Sequence, residues 1–427
     1  MNILIINAFV YVCWLIYSIR KDRKITLYVL FVFLYTIFAI CAIPAVISGI
    51  YTEELGNRNF DSIQIEPYIY SFIVFFFLIF PFRHLKRIDI DSYNIWENKK
   101  ISCFINVWSC FYVFFTVLKM TEMIATLKTG LGEAYYARHM ESEVLFSYSG
   151  ILGDLNTRLT WFLPLTVPIV MFYSFAGYIK GYVKKSKSIF LMTISFLPAF
   201  FMSIANGSRG SLFMDMFCLA FYIITFWPKF NKRDRRTIFI FSITSLIIVL
   251  FYAIGISLER ADIKGANAFD GIIRYFGEPF PNLGTDIWNH VEKHPFGDRL
   301  FPNFTNFHLN GFTPYDLTMY WGQSTGVKVW CFKTLFGDMY IEYGTLLGLL
   351  IPIFVSLAFN MFVKTKKFTI LTIPLIYFYF QICVFSFDGF FYKGSAGMSK
   401  MIYLIFIMLF LKLIVNEKRK NGLQYHM

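Results

Sequence analysis

Apolar stretches long enough to cross a bilayer recur from one end of this chain to the other, and no other feature restricts its fold so severely. A spanning helix needs about 20 mostly apolar residues. Such stretches lie near 2 to 18, 25 to 50, 68 to 82, 101 to 119, 159 to 179, 188 to 205, 211 to 228, 237 to 257, 339 to 363, 368 to 387 and 401 to 415. They predict about eleven transmembrane helices. Inside hydrocarbon, a backbone must satisfy its own N–H and C=O groups, and the sequence lacks the dyad alternation of barrel strands. The expected fold is therefore all-α, a polytopic membrane helix bundle forming a single integral membrane domain over 1–427. Composition points the same way, with 57% hydrophobic and only 16% charged residues.

Short loops rich in Lys and Arg stay on the cytoplasmic side. The basic runs are Arg20 to Lys24, Arg83 to Arg87, Lys184 to Lys187, Lys232 to Arg236, Lys364 to Lys367 and Lys418 to Lys420. They fall after every second apolar stretch. This alternation places the C-terminus in the cytoplasm and the N-terminus outside, in a multi-pass membrane protein. The net charge of +13 is thus an expression of topology rather than of nucleic-acid binding, because the basic runs are short, scattered and next to helix ends. The lipid bilayer is the partner those charges imply. The first apolar stretch lacks a basic leader and a small-residue cleavage site, so it is expected to be a retained helix. No internal repeat is visible, and the 7 cysteines are scattered, with Cys331 in an outer loop, in neither a disulfide framework nor a CxxC pattern.

The opposite face is expected to carry two long outer loops, at approximately 120–158 and approximately 258–338. Loops of that length without regular structure are functional or disordered. The larger is rich in aromatic residues, among them Tyr275, Phe276, Phe280, Trp288, Phe312, Tyr315, Tyr320, Trp321 and Trp330, which suit either a sugar-stacking platform or an interfacial belt. A short turn, Asn206-Gly207-Ser208-Arg209-Gly210-Ser211, separates the stretches ending at 205 and starting at 211. An arginine held at a membrane-surface hairpin, among glycines and serines with many backbone donors nearby, suits a phosphate.

The outer side offers further cations in Arg138, Arg158, Arg260, Arg274 and Arg299. Guanidinium groups grip phosphate oxygens in pairs and keep their charge when partly desolvated, which makes a lipid diphosphate the natural ligand. Pairing with Glu259, Asp262, Asp270 or Glu278 is the alternative for the loop arginines, and for Arg274 the two readings weigh equally. His290 and His294 have i, i+4 spacing but fit no zinc motif, so neither a metal nor any other cofactor is expected. His308 is a candidate general base or a hydrogen-bonded loop histidine. Asp89-Ile90-Asp91 spells an isolated DxD on the expected cytoplasmic side and is set aside, while Glu53, Glu54, Asp61 and Glu66 read as solvated loop charge. Nucleophile-elbow, phosphate-loop and dinucleotide fingerprints are all missing.

With these residues in place, the chain resembles the oligosaccharide repeat-unit polymerases of bacterial surface polysaccharides, the Wzy-type O-antigen or capsule polymerases. The resemblance is carried by the Asn206-to-Ser211 turn and by Leu335-Phe336-Gly337-Asp338-Met339-Tyr340-Ile341-Glu342-Tyr343-Gly344, where the large outer loop is expected to re-enter the membrane. It implies a GT-C-like bundle with a large, partly helical outer loop, acting as a metal-independent membrane glycosyltransferase. The implied substrate is a polyprenyl-diphosphate-linked oligosaccharide, such as an undecaprenyl diphosphate carrying one repeat unit of capsule or lipopolysaccharide O-antigen. A sugar hydroxyl of one such unit attacks the anomeric carbon of another, and polyprenyl diphosphate leaves. Preorganised arginines stabilise the departing charge, Arg209 first, with Arg260 and Arg274 behind it. The proton acceptor stays open among His308, Glu278 and Glu259. Glu278, Tyr275, Arg158 and Tyr340 join Arg274 as expected substrate contacts. A chain-length regulator and a flippase are the implied protein partners. An O-antigen-type ligase shares this layout and differs in its acceptor, with His308 outside a matching ligase pattern. A lipid-linked-oligosaccharide transporter is the other rival, marked by inverted repeats and interrupted helices.

Overall fold

The computed structural model describes residues 2–48, 63–85, 90, 95–130, 133, 148–207, 209–264, 268–305, 314–331, 333–365 and 369–424. Side chains are described at these positions except 209–211, 213–214, 257, 259–264, 268–272, 314–315, 365 and 416–424. Within that description the chain is helical, without strands. The elements in order are α1 (Asn2–Asp22), α2 (Leu27–Ile47), α3 (Glu66–Ile79), α4 (Lys99–Thr129), α5 (Gly150–Ile179), α6 (Lys185–Ala205), α7 (Arg209–Phe226) and α8 (Lys232–Lys264). They continue as α9 (Ala268–Gly277), α10 (Pro279–Asn282), α11 (Pro302–Thr305), α12 (Pro314–Thr325), α13 (Thr334–Thr365), α14 (Ile373–Val384) and α15 (Gly394–Gln424).

Among the described residues, 9 helices are long and apolar enough to cross a membrane, namely those of α1 to α6, α8, α13 and α15. Two more expected spans are also helical, as α7 and the shorter apolar α14. The expected outer loop at 120–158 is helical at both ends, since α4 runs to Thr129 and α5 starts at Gly150. The larger loop contains α9 to α12.

Local chemistry explains several boundaries. Thr26 starts α2 by accepting the Val29 N–H at 3.2 Å, and Asn98 starts α4 by accepting that of Lys100 at 3.0 Å. Gly130, at φ 115, ends α4 in a conformation that a side chain would strain. Pro44, Pro164, Pro168, Pro198 and Pro352 lie inside long helices, as is common in membrane spans. α6 ends at Ala205 and α7 starts at Arg209, with Gly207 between them at φ 54.

The chain forms two compact units. The first comprises Met1–Lys86, Ser257–Thr365 and Gln381–Met398. Its core is aromatic: Tyr35 stacks on Phe75 at 3.7 Å between ring centroids, Tyr11 packs among Trp14, Phe72, Phe75 and Phe280, and Trp14 donates to the Tyr28 hydroxyl at 2.9 Å. The turn after α14 is tied to α2 through Tyr35 and Ser386, whose hydroxyls lie 2.7 Å apart.

The second unit comprises Arg87–Ile256, Lys366–Phe380 and Ser399–Met427. Here polar side chains bridge apolar helices. Ser174 on α5 and Ser188 on α6 share a hydrogen bond at 2.7 Å, the Thr126 hydroxyl donates to the Ala205 carbonyl, and Tyr112 donates to the Leu163 carbonyl. Lys119 and Glu122 pair on α4 at 3.0 Å, and Asn156 donates to Glu122 at 2.9 Å. Each bridge satisfies groups that would be costly alone in an apolar surrounding.

Candidate functional site

The first unit holds a buried cluster of charge built on a broken helix. At Gly344, φ 73 and ψ −172 interrupt α13, so that residues 334–343 form a short helix ahead of a longer one. The break leaves carbonyls without helical partners. The preceding loop supplies them: Phe296 N–H donates to the Glu342 carbonyl at 3.0 Å, and the His294 imidazole bonds the Ile341 carbonyl through Nδ1 at 2.8 Å. A side chain at 344 would be strained by the backbone and would approach His294 Nε2 to 3.2 Å.

Asp338 and Glu342 stand four residues apart on one face of this short helix. Both are fully buried. Arg299 grips the pair, its Nη1 2.9 Å from Asp338 Oδ1 and its Nε 3.1 Å from Glu342 Oε2, while Nη2 donates to the Asp338 carbonyl at 3.2 Å. The backbone N–H groups of Gly297 and Arg299 donate to Glu342 Oε1 at 2.8 and 3.2 Å. Asp338 Oδ2 accepts the Phe390 N–H at 2.7 Å. Two lysines complete the set: Lys333 Nζ lies 3.7 Å from Asp338 Oδ1 and Lys393 Nζ lies 3.8 Å from Oδ2. Lys333 is buried and also donates to the carbonyls of Val329 and Cys331. Burial pushes its ammonium down to about 8, against the pull of Asp338. Lys393 differs, with 45% of its side chain exposed.

The turn bearing Lys393 brings a third carboxylate. Asp388 is half-buried, and burial raises its carboxyl above the ordinary carboxylate range, against the opposing fields of Lys393 and Lys333. Gly389, at φ 150, lies against the Asp338 carboxylate; a Cβ there would overlap Oδ2 and come within 3.3 Å of Lys393 Nζ. Lys333, Asp388, Gly389 and Lys393 stand in no pattern that assigns them a role from sequence alone, and Arg299 stands there without its partners. One signal was available: Asp388 and Lys393 are charges in a short connection between two apolar stretches on the expected outer side.

The expected site residues fall in several places. Arg209 is the first residue of α7, directly after the turn. Arg158 is exposed on α5. In the first unit, Arg274 Nε pairs with Glu278 at 2.9 Å, and the buried Glu278 also accepts from Asn282 at 2.9 Å, so these two expected substrate contacts hold each other. Tyr275 packs on Phe276 and Phe387. Tyr340 is buried, stacked on Trp288 at 4.4 Å, with its hydroxyl accepting the Asn289 N–H at 3.0 Å. His308 lies outside the described residues, as do Arg138, Asp89 and Asp91, and the side chains of Arg209, Arg260 and Glu259 are likewise outside the description. Among the described residues, no group of three or more His, Cys, Asp or Glu side chains is placed to hold a metal ion.

Comparison with known proteins adds no neighbour: no family model matches the chain, and neither a curated protein nor a solved structure does.

Proposed function

We propose that this chain polymerises polyprenyl-diphosphate-linked oligosaccharide repeat units into surface polysaccharide at the outer face of a bacterial inner membrane, as a metal-independent glycosyltransferase. The observation that supports it best is the position of Arg209 as the opening residue of an apolar helix, close after the turn at Asn206 and Gly207. A helix start presents unpaired backbone N–H groups and the positive end of the dipole. An arginine there adds a permanent charge, and together they suit the diphosphate that leaves when the new glycosidic bond forms.

A second reading, transport of the same lipid-linked sugar, draws support from the break at Gly344, because interrupted helices also mark transporters. Elongation by the purified protein separates the two. In vesicles containing polyprenyl-diphosphate-linked repeat units, the wild type is expected to build a ladder of longer glycans. Arg209→Ala is expected to leave mostly single units, a loss of about 100- to 1000-fold in elongation rate, and Arg209→Lys to recover part of it. Normal polymer length from Arg209→Ala would remove the basis of the proposal, and movement of intact substrate across the vesicle without elongation would favour transport.

A further inference from the structure

We infer that the Asp388 carboxylate takes the proton from the attacking sugar hydroxyl, an assignment that rests on the glycosyl-transfer reading above. Asp388 lies within reach of the fields of Lys333, Lys393 and Asp338, and the other two carboxylates of this region, Asp338 and Glu342, are committed. Asp338 and Glu342 have no exposed surface, and their oxygens are held by Arg299 and by the backbone N–H groups of Gly297, Arg299 and Phe390. Asp388 is half-buried, and among the described residues its carboxylate has no hydrogen bond or ion pair. Its oxygens are therefore open to a substrate hydroxyl.

The surroundings fit that task. Asp388 sits on the turn between α14 and α15, and the charged groups that act on it are Lys393 from the same turn, Lys333 from the residue before α13 and Asp338 from its first turns. A carboxylate partly withdrawn from water binds a proton more tightly than a solvated one, which makes it the better base. The interlocked Arg299, Asp338 and Glu342 hold the neighbouring backbone at Phe390, and so fix the turn. Glu278, a rival from the sequence, is buried and already bonded to Arg274 and Asn282.

In the step itself the hydroxyl O–H bond breaks and its proton passes to Asp388. The oxygen electron pair forms the bond to the anomeric carbon of the second unit. The bond from that carbon to the diphosphate oxygen breaks, its electron pair leaves with polyprenyl diphosphate, and Asp388 returns its proton to water.

The test follows elongation against pH with purified protein in vesicles containing polyprenyl-diphosphate-linked repeat units. The wild-type rate is expected to fall on the acid side with a midpoint above the ordinary aspartate value of about 4. Asp388→Asn is expected to lower the rate about 100- to 10,000-fold and to abolish that acid limb, with the melting midpoint preserved. Lys393→Gln is expected to move the limb to higher pH, because removing a nearby cation disfavours the ionised carboxylate. Asp388→Asn with wild-type rate and limb overturns the assignment while leaving polymerisation in place. Should that variant not fold, the Lys393→Gln profile decides, and an unmoved limb overturns the assignment. A wild type that makes no polymer overturns the functional reading and this assignment with it.

Discussion

Arg299→Met is expected to cost about 3–5 kcal/mol, the penalty for removing one partner from a buried ion pair. The cause is what the substitution leaves behind. Asp338 and Glu342 have no exposed surface, and methionine replaces the one guanidinium that binds both. Lys333 and Lys393 stand 3.7 and 3.8 Å from Asp338 and soften the loss there, but Glu342 keeps only backbone donors. Thermal unfolding in detergent or lipid should show a clearly lower midpoint. Adding Glu342→Gln to Arg299→Met should restore part of it, since the amide removes the carboxylate left without a cation while Asp338 keeps Lys333 and Lys393 beside it. A single Arg299→Met variant that melts with the wild type would show that the three-way pairing does not hold the break at Gly344 together.

The spans of this fold were legible because each hydrocarbon-crossing helix announces itself by length and apolarity: among the described residues, nine of the eleven expected stretches coincide with helices long and apolar enough to cross a membrane, and the other two fall on α7 and the shorter α14. The expected ends were less secure wherever a charge is neutralised by a partner that hydropathy does not see. α13 starts at Thr334 rather than near 339, because the residues that depress its hydropathy there, Asp338 among them, are buried against Arg299 and Lys333. α4 likewise continues beyond 119 through Lys119 and Glu122, which pair with each other and bond Asn156. In the site, the i, i+4 spacing of Arg274 with Glu278 and of Asp338 with Glu342 could be read directly. The guanidinium that joins the second pair could not, since Arg299 lies 39 residues from Asp338 and 43 from Glu342 and only the fold brings them together. Gly344 appeared within a quoted motif, but its positive φ belongs to the backbone path and left no trace in the apolar pattern of 339 to 363.

Gly277→Leu is expected to prevent the first unit from assembling normally. Gly277 is buried at the end of α9, where it meets the backbone of α2 without an intervening side chain. A Cβ at this position would overlap the Cys41 carbonyl oxygen and come within 2.7 Å of the Cys41 carbonyl carbon and 2.8 Å of the Ala45 Cβ. Backbone atoms cannot swing aside as a long side chain can, so α9 must move away from α2. That movement separates Phe276 from Phe38, stacked at 5.8 Å, and displaces the helix that carries Arg274. Even Gly277→Ala should cost about 1–3 kcal/mol, the range for overpacking a filled site, and leucine more, with low yield of folded protein. Ala45→Gly added to Gly277→Ala should recover only a little, because the clash with the Cys41 carbonyl remains. Gly255 provides the contrast: a Cβ there meets nothing within 4 Å, and the residue lies within α8. Gly255→Ala should therefore be neutral or gain up to about 1 kcal/mol from better helix propensity. Equal melting midpoints for the two alanine variants would contradict the tight crossing of α9 and α2.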